Sequence, residues 1–139
     1  MKVRFDRFTI NVKNLDEAKK FFSELLETTF EDLPEGAKLE ITPAPDSFVK
    51  FRFAVSPLGI ELFEPDPPVE KEGVRNITWR VDNIEEAKEK IMKRGVSHLF
   101  DAKCGYWKES VFSTDGMYGV RTVFNEYRGD SVIRAMLQE

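Results

Sequence analysis

The residue types behind most catalytic and metal chemistry are scarce in this chain, which has one histidine, His98, and one cysteine, Cys104. Those counts remove zinc motifs built from His and Cys, the HExxH arrangement, and any Ser-His-Asp triad not centred on His98. A lone cysteine also excludes an intrachain disulfide and fits a reducing compartment. His98 sits in SHLFD, read as a strand, where its role is structural or at the surface. Cys104 sits in AKCGYW, where no neighbouring histidine or helix start would depress a thiol pKa. Both are read as bystanders. The chemistry that remains belongs to arginines, carboxylates and amides: Arg7 opens RFTINVKNLDEAKKFF, Asn76 opens NITWRVDNIEEAKEKI, and Glu61 lies in GIELFEP. Such groups pair ions, hold anionic oxygens and form hydrogen bonds.

Similar elements must position the two long phrases. At an offset of 69 residues, Thr9 meets Thr78, Val12 meets Val81, Asn14 meets Asn83, Glu17 meets Glu86, Ala18 meets Ala87 and Lys19 meets Lys88, which reads as an internal repeat. Phe8, Ile10 and Val12 alternate with polar residues, as do Ile77, Trp79 and Val81, predicting a strand with one apolar face in each copy. Asn14 and Asn83 suit helix N-caps, and Glu17 and Glu86, three residues on, would complete capping boxes. Leu15, Ala18, Phe22 and Leu25 form the stripe of the first helix; Ile84, Ala87 and Ile91 form that of the second, closed by Lys93, Arg94 and Gly95.

Further strands are expected at 37–42, 48–55 and 58–64, then at 96–102, 107–113 and 118–126, giving βαβββ twice. One α+β domain over residues 1–139 follows, divided into a first module at 1–66, a linker at 67–72, a second module at 73–128 and a C-terminal helix at 129–139. In that helix Val132, Ile133, Met136 and Leu137 recur at helical spacing.

With 41% hydrophobic and 33% charged residues and no low-complexity tract, the chain reads as an ordered globular protein. Its net charge of -4 offers no overall attraction to nucleic acid or anionic lipid. No segment approaches the ~20 apolar residues of a membrane span, and the charged N-terminus lacks the apolar core of a secretory signal. A cytoplasmic protein is expected.

The phrase V-x-N-L-x-E-A-x-x-F-F, the later GIELFEP and the second copy of the phrase together resemble the vicinal oxygen chelate superfamily, the group of glyoxalase I, methylmalonyl-CoA epimerase, extradiol dioxygenases and bleomycin-resistance proteins. The resemblance spans roughly residues 3 to 127. It implies paired βαβββ modules curled into a cup, with a divalent metal on the concave face. Carried over, the ligand positions fall at Arg7, Glu61, Asn76 and Val123, with Arg121 or Asn125 neighbouring the last. A guanidinium has no free lone pair and valine offers nothing, so only Glu61 is a good ligand and Asn76 a weak one. No cofactor is expected, and a divalent metal only through an altered site that includes Glu61.

If the apolar strand faces meet the helices, the opposite parity puts Arg7, Thr9, Asn11, Glu61, Phe63, Asn76, Thr78, Arg80, Arg121, Val123 and Asn125 in the cup. Arg7 can then pair with Glu61 and fill the space of the metal. The same alternation is also the pattern of a plain solvated sheet face. Among the aromatics, Phe63, Tyr106 and Trp107 fall nearest a ligand. The resulting expectation is a metal-independent protein that binds a small anionic organic molecule, similar in type to the bleomycin-resistance proteins. The alternative is an isomerase, lyase or dioxygenase using Glu61 as metal ligand or general base, although a paired Arg7 would weaken that base. A homodimer is expected, with the C-terminal helix available to its interface.

Overall fold

The computed structural model describes residues 1–46 and 50–138; Phe48, read above as opening a strand, lies outside them. In chain order the elements are β1 (Val3–Asn11), α1 (Leu15–Leu26), β2 (Glu31–Asp32), β3 (Glu40–Thr42), β4 (Lys50–Ser56), β5 (Ile60–Asp66), β6 (Gly73–Val81), α2 (Ile84–Met92), β7 (His98–Cys104), β8 (Trp107–Phe112), β9 (Thr122–Glu126) and α3 (Val132–Leu137). Among the described residues the strands form one curled sheet in the order β2-β4-β5-β1-β6-β9-β8-β7-β3. The two copies meet at its centre, where β1 and β6 pair antiparallel; β5 runs parallel to β1, and β9 parallel to β6. No helix among the described residues is long and apolar enough to cross a membrane.

Both helices start in the same way. Asn14 Oδ1 accepts from Glu17 N at 3.0 Å, and Asn83 Oδ1 accepts from Glu86 N at 3.1 Å. A carboxylate from a neighbouring strand serves the first amide of each helix: Glu64 accepts from Leu15 N and Glu126 from Ile84 N. A strand carboxylate reaches the first helical amide directly and adds negative charge at the positive end of the dipole. On the helix side of the sheet, Leu15, Ala54 and Leu62 are sealed under α1, and Val81, Ile84 and Ala87 under α2. Burying each large aliphatic side chain there stabilises by about 1.5–3 kcal/mol.

Two observed placements differ from the reading by periodicity. The segment expected at 37–42 supplies β3, but β3 leaves its own half and pairs with β7 at the far edge, Ile41 opposite Ala102. The fourth strand of the first half is instead the short β2, beside β4. Because β2 and β3 lie at opposite edges yet are consecutive in sequence, residues 33–39 cross from one edge to the other. The second difference concerns α3. Its apolar residues Val132, Ile133, Ala135 and Met136 are buried inside the curl against Phe53, Ala102 and Trp107, so this face is already covered within the chain. Gly105 permits that docking: at φ +57°, a Cβ there would lie 2.1 Å from the Gln138 carbonyl oxygen and 2.6 Å from that of Met136.

Candidate functional site

The concave side encloses a cavity of about 570 Å³, within the range of small-molecule sites. Its floor comes from the central strands. Arg7 is 2% exposed, and its guanidinium is held through two of its nitrogens: Nε donates to Glu61 Oε1 at 2.6 Å, and Nη1 donates to Asp6 and to Asn125 Oδ1. Burial alone would lower the Arg7 pKa, but the carboxylates of Glu61, Asp6 and Glu109 outweigh it and raise the pKa. Asn125 fixes the wall beside it. Its Oδ1 also accepts from Trp107 Nε1 at 2.7 Å, and its Nδ2 donates to Glu109 Oε1 at 3.2 Å.

Glu109 faces the cavity between these groups. Burial pushes its carboxyl up to about 7, the neighbouring Glu61 adds to the rise, and Arg7 and the Asn125 amide oppose it. Arg75 and Arg121 line the same cavity and form no ion pair among the described residues. Arg75 lies over the Phe63 ring, 4.5 Å from its centroid, and its Nη1 reaches Asn11 Oδ1 only at 3.5 Å. The Nε of Arg121 is sealed from solvent with no hydrogen-bond partner among the described residues. Burial lowers both arginine pKa values, and the charge of Arg121 lowers that of Arg75 further. Phe51, Phe53 and Phe63 form a stacked apolar wall, with centroids 5.2 to 6.4 Å apart.

Residues 4–124 match the sequence model of the Glyoxalase/Bleomycin resistance protein/Dioxygenase superfamily. The chain belongs to this superfamily. Solved structures with the same fold include a methylmalonyl-CoA epimerase from Mycobacterium tuberculosis, at 15% identity and a TM-score of 0.65, covering 90% of this chain and 88% of that one. A hypothetical protein from Bacillus halodurans is similar at 19% identity and a TM-score of 0.66, covering 94% and 99%. A methylmalonyl-CoA epimerase in complex with methylmalonyl-CoA and NH4+ is similar at 16% identity and a TM-score of 0.63, again covering 94% and 99%. No curated protein sequence matches the chain.

Superfamily members of the vicinal oxygen chelate type hold a divalent metal, and the four positions carried over for its ligands, Arg7, Glu61, Asn76 and Val123, all line the cavity. Their donors do not fit such an ion. Arg7 brings a positive charge to the centre and occupies the carboxylate of Glu61. Asn76, whose amide nitrogen donates to Thr9 and Thr78 at 3.2 and 3.3 Å, could offer only its neutral Oδ1, a weak ligand, and Val123 has no donor atom. Among the described residues no three His, Cys, Asp or Glu side chains are grouped to hold an ion.

The other candidates from the sequence separate cleanly. Thr9, Phe63 and Arg121 line the cavity; Thr78 and Asn125 are fully buried behind it. Arg80 points elsewhere, donating to the carbonyls of Tyr127 and Gly129 and stacking 3.8 Å over the Tyr127 ring, so it anchors the segment that leads into α3. Tyr106 is exposed beside Arg128, outside the cavity, whereas Trp107 lines it. His98 is bound to Asp101 at 2.8 Å on β7. Cys104 is buried, donates to the Met136 carbonyl at 3.3 Å, and has its thiol pKa raised by burial. The sequence reading missed Glu109, Arg75 and Asp6. Glu109 shares the parity of Trp107 and Val111 along β8, a signal that could have found it. Asp6 and Arg75 sit where the β1–β6 register shifts, between Phe5 and Arg7 and opposite the Thr9–Ile10 step, so strict alternation misplaces them.

Proposed function

We propose that this protein binds a small anionic organic molecule in its cavity, without the divalent metal of the superfamily. The observation that carries this reading is the buried Arg7–Glu61 pair, which puts a carboxylate-bound cation where an ion would be ligated. Arg75 and Arg121 then bring two guanidiniums, with no ion pair among the described residues, to a chamber that Glu109 and Asp46 also line. Metal content of protein purified without chelator, with thermal-shift titrations of zinc, nickel, manganese and iron(II), tests it. The expected result is no stoichiometric metal and no shift; stoichiometric metal, or stabilisation that Glu61→Ala abolishes, would overturn it. A homodimer belongs to the same reading, and light scattering checks it.

A second reading, an isomerase or lyase, is favoured by one observation. Glu109, pushed up to about 7, suits proton transfer near neutral pH, whereas Glu61 is held by Arg7. Turnover lost in Glu109→Gln with ligand binding retained would support that reading over binding alone.

A further inference from the structure

We infer that the cavity takes an organic monoanion with an apolar body, its charged head held between Arg75 and Arg121 and its body lying along Phe51, Phe53 and Phe63. This rests on the binding reading above and names its ligand class.

Of the three arginines at the cavity, Arg7 is the least available as a ligand contact, because Glu61, Asp6 and Asn125 already use its Nε and Nη1 donors. Arg75 and Arg121 are the opposite case. Two desolvated guanidiniums in one chamber repel each other, and a buried donor left unmade is costly. One anionic head would cancel the repulsion and accept from the planar forks. A single charge suits the site better than two, since the carboxylates of Glu109 and Asp46 line the same space and would repel a dianion.

The body follows from the wall. The rings of Phe51, Phe53 and Phe63 lie within 18 to 22° of parallel, and Leu39, Ile41 and Met136 also line the chamber. Arg75 stacked on Phe63 joins the two regions, so a head between the arginines puts the attached carbon chain directly against the aromatic face.

The test is calorimetric titration, with Trp107 fluorescence in parallel, using phenylacetate and 4-phenylbutyrate, their neutral amides, acetate and inorganic phosphate. The aryl carboxylates are expected to bind well above the other probes. Arg121→Gln and Arg75→Gln should each weaken them roughly ten- to hundredfold, as for losing a charge-assisted hydrogen bond, and weaken the neutral amides far less. Equal binding of amides and carboxylates would overturn the monoanion class while leaving a small-molecule chamber intact. Acetate or phosphate binding as tightly as the aryl acids would remove the apolar body from the inference. Carboxylate binding indifferent to both arginine variants would overturn the head site. Failure of every probe, charged or neutral, would sink the inference and the binding reading together.

Discussion

Arg7 and Arg121 carry the same charge into the same cavity, and their neighbours treat them in opposite ways. Arg7 is buried, yet the carboxylates of Glu61, Asp6 and Glu109 outweigh burial and raise its pKa, while Arg121 keeps a sealed Nε without a partner among the described residues and has its pKa lowered by burial. A buried cation that is fully paired holds its surroundings together; removing it leaves buried carboxylates unpaired. Arg121 is only half-buried, and its sealed Nε has no partner among the described residues. The paired cation thus belongs to the floor contributed by β1 and β5, and the unpartnered donor to the wall around Arg75 and Arg121.

The largest expected effect breaks the first side of this contrast. Arg7→Met strands Glu61 and Asp6 and should cost about 3–5 kcal/mol in urea unfolding, with Glu61→Gln in the same chain restoring part of it. A loss below about 1 kcal/mol would show that the floor does not depend on its cation. Next comes the helix that closes the chamber. Gly105→Ala forces a left-handed backbone and a clash with α3, and should cost about 1–3 kcal/mol and weaken any cavity ligand.

Glu109→Gln sharpens the wall. The folded-state pKa of Glu109 is raised, to about 7 from an ordinary 4.5, so the folded protein binds the extra proton and stability falls as pH rises through that window. The variant should lose that part of the decline, read from melting temperatures at pH 5 and pH 8. Smallest of all, Arg121→Gln should leave the stability of the ligand-free protein within about 1 kcal/mol of the original, on the stabilising side. A large destabilisation would place Arg121 with Arg7.

Much of this was legible because it is local. Asn14 and Asn83 mark helix starts by their own chemistry, and the alternation through Phe8, Ile10 and Val12 gives the strand face without reference to anything distant. The pairing of Arg7 with Glu61 needed only that alternation and the resemblance to place both on one floor. What escaped depends on partners far along the chain. β3 pairs with a strand some sixty residues away, and nothing in EIT names β7. Arg75 and Asp6 sit at register shifts set by the opposing strand, and Glu109 owes its raised carboxyl to burial by the assembled fold and to Glu61 from β5. Arg80 kept the right parity but lies under the turn before α3, which the pattern of β6 cannot reveal.

The crossing at residues 33–39 sets a limit on shape. Laid flat, eight spacings of about 4.8 Å would hold β2 and β3 roughly 38 Å apart. The chain from Asp32 to Glu40 spans at most about 29 Å even when fully extended. The sheet therefore cannot open flat while both edges stay paired: its curvature is tethered as well as packed, and widening the mouth past that limit requires peeling either β2, with its two residues, away from β4 or β3, with its three, away from β7.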